Sequence, residues 1–172
     1  QFKSEPEAEL GGYQVPLPRG RVLGGSSSIN GQVYCRGHHR DYDEWRQLGN
    51  EGWDWESVLP YFKKAENWKG DASELRGRDG PLRTTFGRYN NGLFKAFIEA
   101  FNPDYNGAEQ EGFVYTQYTH THKFPMRCSA ARAYLWPTMG RKNLTIWTKS
   151  RTLKILFDGK RATGVEVDRQ GE

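Results

Sequence analysis

The four histidines come in two groups, His38-His39 and His120-Thr121-His122. Alternate residues of a strand share a face, so His120 and His122 could bind one metal ion together. Zinc takes three or four protein ligands, and no third ligand stands at a fitting spacing. The histidines therefore read as surface or structural residues, and no metal is expected. Cys35 and Cys128 lie far apart and outside any CxxC spacing. That pattern predicts two buried thiols in a reducing compartment and argues against a disulfide framework. Three common signatures are missing: GxGxxG, GxxxxGK followed by Ser or Thr, and GxSxG. Without the last of them, Ser26, Ser27 and Ser28 are not a nucleophile elbow.

The stretch that could do chemistry is Gly20-Arg21-Val22-Leu23-Gly24-Gly25-Ser26-Ser27-Ser28-Ile29-Asn30-Gly31. Adjacent glycines let a backbone lie against a planar or anionic ligand without Cβ interference. Three serines then supply amide and hydroxyl donors at the opening of a helix, where negative charge is favoured. That chemistry suits a pyrophosphate or a ribityl chain. The same composition also describes a flexible Gly/Ser linker. Against a linker stands the apolar frame of Val22, Leu23, Ile29 and Val33, which calls for burial. The 20–33 run is therefore expected to be ordered and largely buried, with Gly24 and Gly25 against a groove.

Elements must hold this run in place. Residues 1–20, with Pro6, Pro16, Pro18 and Gly11-Gly12, read as extended loop. Helices are predicted over 41–48, capped by Asp41 and closed by Gly49, and over 56–67, capped by Asp54 with Pro60 in the first turn. The 69–92 segment reads as polar turns. A helix over 92–101 places Leu93, Phe94, Phe97, Ile98 and Phe101 on one core-facing stripe. Alternation predicts a strand over 113–122, and Ser129 caps a short helix over 129–136. Strands follow at 144–148, 152–157 and 162–167, with a turn at Asp158-Gly159-Lys160-Arg161.

The chain has 172 residues, 35% of them hydrophobic and 14% aromatic, with a mean hydropathy of −0.88. So many aromatics exclude a disordered chain, while the polarity predicts an under-filled core. The net charge of +4 comes from bases interleaved with acids, as in Arg40, Asp41, Asp43, Glu44 and Arg46. A nucleic-acid surface would cluster them, so no nucleic-acid partner is expected. No apolar run reaches the roughly 18 residues of a membrane span. The opening Gln1 and the closing Asp168-Arg169-Gln170-Gly171-Glu172 read as cuts, which predicts an internal segment of a longer protein.

The 20–31 run, followed by Tyr34, Arg36-Gly37, Asp41-Tyr42-Asp43 and Trp45, resembles the first signature of the glucose–methanol–choline (GMC) oxidoreductases, and most of all their choline-dehydrogenase-like branch. The resemblance extends through Glu51-Gly52-Trp53, Val58-Leu59-Pro60-Tyr61-Phe62, Gly80-Pro81-Leu82 and Asp104-Tyr105-Asn106-Gly107. It continues in Gln110-Glu111-Gly112, Arg127-Cys128-Ser129, Ala133-Tyr134-Leu135, Asn143-Leu144-Thr145 and Gly164-Val165-Glu166.

The resemblance implies an α/β fragment of a two-domain flavoenzyme. Residues 1–50 and 144–172 would belong to the FAD-binding domain, and 52–140 to a mainly helical substrate-side portion. It implies FAD contacts at Val22, Gly24, Gly25, Ser26 and Ser27, a turn at the isoalloxazine edge formed by Asn30, Gly31, Gln32 and Val33, and a backbone contact to adenine at Thr152. Covalent flavin in the family can hang on a histidine where this chain has Ile29, so the FAD is expected to be non-covalent. The implied reaction is oxidation of a primary alcohol, choline-like or other, to an aldehyde by hydride transfer to flavin N5. Oxygen or a quinone would be the acceptor, in the cytoplasm or at a membrane through the quinone, with a homo-oligomer open. The upstream glycine fingerprint and the downstream catalytic histidine have no counterpart in this sequence, so no catalytic residue is expected here. An inactive remnant or interaction module of the same family is the alternative.

Overall fold

The computed structural model describes residues 2–87, 91–99, 104–121, 124 and 126–169, without the side chains of 94 and 97–99. The chain divides into two compact units, 1–137 and 138–172. The first unit opens with a small ribbon, β1 (Phe2–Lys3) antiparallel to β2 (Pro16–Leu17), around a 3-10 turn at Ala8–Leu10. Most of 1–20 is irregular, as the prolines require, and the strands are two residues each.

Helix α1 spans His39–Gln47. Its cap is His38, whose ring accepts from the Arg40 amide, while Asp41 reaches back to the His38 amide at 2.8 Å. Asp41 is thus the third-position member of a capping box and not the cap itself. Gly49, at φ 96°, turns the chain out of the helix as expected.

Helix α2 spans Trp55–Ala65, and Asp54 caps it by accepting from the Ser57 amide at 3.1 Å. Pro60 lies in the second turn and not the first, so the Glu56 carbonyl has no amide to accept from there. Lys63 and Lys64 in the last turn suit the negative helix end. Donation from the Ser57 amide, the largest cause, holds the Asp54 carboxyl below its ordinary value of 3.8. A depressed folded value means that the cap stabilises above 3.8 and loses its contribution as pH falls through the folded value. Asparagine caps without titrating. In Asp54→Asn the melting temperature should therefore fall less than in wild type when pH is lowered below about 4. Parallel melting curves down to acid pH would remove this role for the cap.

At Glu66 the backbone turns extended, because its carboxylate is drawn into the interior. There β3 (Glu66–Trp68) pairs in parallel with β4 (Leu82–Phe86), which pairs antiparallel with β5 (Gln117–Tyr118). Two of these strands fall where turns were predicted or a helix end was extended. Apart from Trp68, their buried residues, Glu66, Thr84, Thr85 and Gln117, are polar, so no apolar alternation marks them. The predicted 113–122 strand shrinks to β5, since only two residues find a ladder partner on β4.

Helix α3 spans Gly92–Glu99. Leu93 on it is 82% exposed and not core; Phe101 and the side chains of Phe94, Phe97 and Ile98 lie outside the described residues. The predicted 129–136 helix is a π-helix, Ala131–Leu135, followed by a 3-10 turn, Trp136–Thr138. Ser129 does supply a side-chain oxygen to its start, accepting from the Arg132 amide at 3.3 Å. Cys128 is buried as expected, but Cys35 is exposed, and both are free thiols.

The second unit is a hairpin, β6 (Ser150–Asp158) with β7 (Arg161–Arg169). Gly159 at φ 57° forms the predicted turn. Cross-strand pairs include Ile155 with Val165 and Lys154 with Glu166. Apolar side chains stand exposed along both strands, Leu153, Ile155, Leu156, Phe157 and Val165 among them. The predicted strand at 144–148 does not form. Lys149, at φ 53°, breaks the extended path just before β6.

Candidate functional site

The 20–33 run folds on itself. Gly24, at φ 91°, and Gly25, at φ 56°, lead into a 3-10 turn at Gly25–Ser28, shorter than the predicted helix. The Gly25 amide donates to the Val22 carbonyl at 2.8 Å, and the Asn30 amide to the Ser26 carbonyl at 2.9 Å. The Ser26 hydroxyl accepts from the Gly20 amide, and the Ser28 hydroxyl donates to the Leu23 carbonyl. A Cβ on Gly20 would overlap the Gly25 carbonyl, so this closure needs glycine there.

One side of the run is backed by residues 127–131. The Ala130 amide donates to the Ser27 hydroxyl at 2.9 Å, and Arg127 Nη1 donates to the Ser27 carbonyl at 3.1 Å and to Asn30 Oδ1 at 2.7 Å. A Cβ on Gly24 would come within 3.2 Å of the Ala131 amide nitrogen. Beyond Asn30 the chain runs beside β5: the Thr119 amide donates to the Gln32 carbonyl at 2.8 Å, and the Tyr34 amide to the Gln117 carbonyl at 2.9 Å. Gln32 takes a left-handed φ of 65°, a conformation that L residues adopt at a cost.

The other side is open. Val22 is 57% exposed, Ile29 52% and Val33 57%. The expectation of a largely buried run is therefore corrected. Several of its polar groups are paired from within and from one flank, and its apolar frame is only partly covered. A Cβ on Gly25 or Gly31 would meet nothing within 4 Å. Val22, Gly24, Gly25, Ser26, Ser27, Asn30, Gly31, Gln32 and Val33 thus share one continuous feature of the first unit. Thr152 sits on β6 of the second unit, opposite Val167.

Behind β5 lies a buried charge network. Glu66 accepts from Arg36 at 2.7 Å and from Arg76 at 2.6 Å, and all three side chains are fully buried. Arg76 also pairs with Asp104 at 2.7 Å and stacks over Trp68 at 3.9 Å. Asn106 joins the parts, accepting from the Arg36 amide and donating to the Tyr34 carbonyl and to Gln117 Oε1. Tyr105 accepts from the Gln117 amide at 2.7 Å; burial, the largest cause, pushes its phenol up to about 12. The network fixes Tyr34 and Gln117, and through them the turn at residues 30–33. Tyr34, Arg36, Asp104, Tyr105 and Asn106 appeared in the sequence as scattered matches to the family pattern, while Glu66, Arg76 and Gln117 were not singled out there at all.

No group of three or more potential metal-ligating side chains occurs among the described residues; His122 lies outside them. A groove of about 450 Å³ lined by Tyr42, Trp53, Tyr61 and Phe62 contains none of the predicted site residues.

The model of the GMC oxidoreductases matches residues 9–172. The chain belongs to the GMC oxidoreductase family. Among its relatives, the oxygen-dependent choline dehydrogenase of Brucella anthropi is 48% identical over 175 residues, covering 97% of this chain and 31% of that protein. The corresponding enzyme of Sinorhizobium fredii is 46% identical, over 99% of this chain and 32% of its own length. Pyridoxine 4-oxidase from Mesorbium loti superposes with a TM-score of 0.82 at 30% identity, over 96% of this chain and 34% of that one. An FAD-dependent oxidoreductase from Chaetomium thermophilum gives 0.85 at 31%, over all of this chain and 33% of that one. The chain thus spans about a third of the length of the GMC relatives it matches, with their mixed helix and strand content. Family membership and these neighbours indicate FAD as the cofactor.

Proposed function

We propose that this chain supplies the flavin-facing loop of an FAD-dependent enzyme that oxidises a primary alcohol of the choline class to its aldehyde. The observation that carries the reading is the one-sided 20–33 run, pinned along its back by Arg127 and Ala130 and open in front at Gly25 and Gly31. Its residues fit a long group with a flat, polar-edged ring. Exposed Val22, Ile29 and Val33 offer apolar surface to a ring face, and Asn30 offers donors to a ring edge. Backbone at Gly25 and Gly31 permits close approach.

Bound there, FAD would supply a hydride acceptor for the alcohol carbon. Residues 22–27 would lie along the cofactor, residues 30–33 at its ring, and Thr152 at the adenine through its backbone. On the same reading, residues 1–50 and 144–172 belong with the flavin and 52–140 with the substrate. Ile29 carries no nucleophilic nitrogen, so the FAD is held without a covalent bond. The name of the Brucella relative favours oxygen as acceptor. The free thiols Cys35 and Cys128 fit a reducing compartment, and among the described residues no helix is long and apolar enough to cross a membrane.

The test is to purify the enzyme that contains this chain and record its flavin spectrum before and after acid precipitation. Yellow enzyme, colour released entirely to the supernatant, and choline-dependent oxygen uptake are expected. Colourless enzyme with no gain on adding FAD would refute the reading, and colour held in the pellet would refute the non-covalent linkage.

A further inference from the structure

Asn30 Oδ1 has two donors upon it, the Arg127 guanidinium at 2.7 Å and the Gln32 amide at 3.1 Å. A guanidinium has no acceptor to offer, so this contact alone decides which way round the amide stands. The oxygen must face Arg127, and the NH2 must face the opposite, exposed side. There Asn30 Nδ2 has no hydrogen-bond partner among the described residues. The same Arg127 nitrogen holds the Ser27 carbonyl, so one cation grips the last residues of the 3-10 turn and the residue just beyond it.

We infer that Arg127 is a positioning residue that fixes Asn30 as a hydrogen-bond donor toward the flavin ring. The inference rests on the flavin reading of the 20–33 run. Without Arg127 only the Gln32 amide, at 3.1 Å, still holds the oxygen, and orientations that set a carbonyl oxygen against ring acceptors become more populated. With Arg127 the donor end is preorganised, so no reorganisation is needed when the ring gains electron density on reduction. The positive charge acts in the same direction, since charge and donors beside the ring tune its electronics. Both effects favour bound FAD and, more strongly, its reduced form.

Three variants of the full enzyme test this. Arg127→Leu removes the orienting donor, Arg127→Lys keeps a shorter cationic one, and Asn30→Asp replaces the NH2 by an acceptor while leaving Arg127 an ion-pair partner. FAD affinity of the apoenzyme and the midpoint potential of the bound flavin are measured, with far-UV circular dichroism for the fold. Arg127→Leu and Asn30→Asp should each weaken FAD binding about tenfold or more and lower the potential, a tenfold differential being about 30 mV for a two-electron couple. Arg127→Lys should recover most of both. Should Arg127→Leu fail to fold, Asn30→Asp decides, because Asn30 is exposed and its replacement keeps a partner. Wild-type affinity and potential in Asn30→Asp overturn the inference, and so does a folded Arg127→Leu with wild-type values. A wild-type enzyme that binds no FAD fails at the earlier step, and the flavin reading falls with it.

Discussion

Glu66→Ala is expected to cost about 3–5 kcal/mol of stability, the range seen when one partner of a buried ion pair is removed. Glu66 is wholly enclosed and is the carboxylate that both Arg36 and Arg76 use. Asp104 still serves Arg76, but its side chain is 30% exposed and it does not reach Arg36. After the substitution Arg36 keeps its full charge in the interior with neutral partners only, the Leu75 carbonyl at 2.7 Å and the Tyr34 hydroxyl at 3.5 Å. Domains are stable by about 5–15 kcal/mol in total, so this loss is a large share of what there is. Urea unfolding should show a lower midpoint with a similar slope. A loss below about 1 kcal/mol would place the pair among those worth little, as surface pairs are. Glu66→Gln should also destabilise, because it keeps the shape but turns one acceptor into a donor facing two guanidinium groups. The damage should extend to the cofactor run, since the network anchors Tyr34 and Gln117.

Gly20→Ala should have the second-largest effect, and on ligand binding more than on folding. Its methyl would overlap the Gly25 carbonyl and stand 2.8 Å from the Ser26 amide nitrogen. Both neighbours are backbone, so the two strands of the loop must part. Overpacking of this kind costs about 1–3 kcal/mol, which translates to roughly a ten- to hundredfold loss of FAD affinity if the loop carries the strain. Gly25→Ala meets no atom but must hold φ at 56°, a cost of about 1–2 kcal/mol for an L residue. Gly31→Ala meets neither obstacle in this chain. It should leave the melting temperature unchanged and weaken FAD binding only through contact with the ligand. Wild-type FAD affinity in Gly20→Ala would show that the closure of the run does not matter to the cofactor.

What could be read in advance follows the range of the forces involved. Helices α1 and α2 and the β6–β7 turn are announced by caps, helical spacing and an Asp-Gly pair within a few residues of one another. The three-stranded sheet is not, because beside Trp68 it buries Glu66, Thr84 and Gln117, and their polarity makes sense only once Arg36 and Arg76 arrive from elsewhere in the chain. The site divides in the same way. Gly24, Gly25 and Asn30 stand out by composition and resemblance. Arg127 shows its role only through contacts to Ser27 and Asn30, each about a hundred positions away. The buried frame expected for Val22, Ile29 and Val33 failed for a related reason: hydrophobicity states that a side chain favours cover, and says nothing of which partner provides it.

The β6–β7 ribbon carries a consequence for the order of events during folding. Its pairings are all local, so the hairpin can close within about 1–10 μs, ahead of the sheet whose strands pair residues up to 33 positions apart. Yet two strands with apolar side chains on both faces are marginal by themselves in water. Each of the two nine-residue strands also has an outer edge of amide and carbonyl groups that the other does not pair. Such an edge is a template for any extended chain that meets it, a neighbouring copy included. Lys154 on one strand and Glu166 on the other place charge in the middle of the ribbon, the device by which natural edges discourage mispairing. The yield of correctly folded protein should thus be governed by a race. On one side is the completion of folding within a single chain, which does not depend on concentration; on the other is the encounter of this early hairpin with a second one, which rises with every increase in expression.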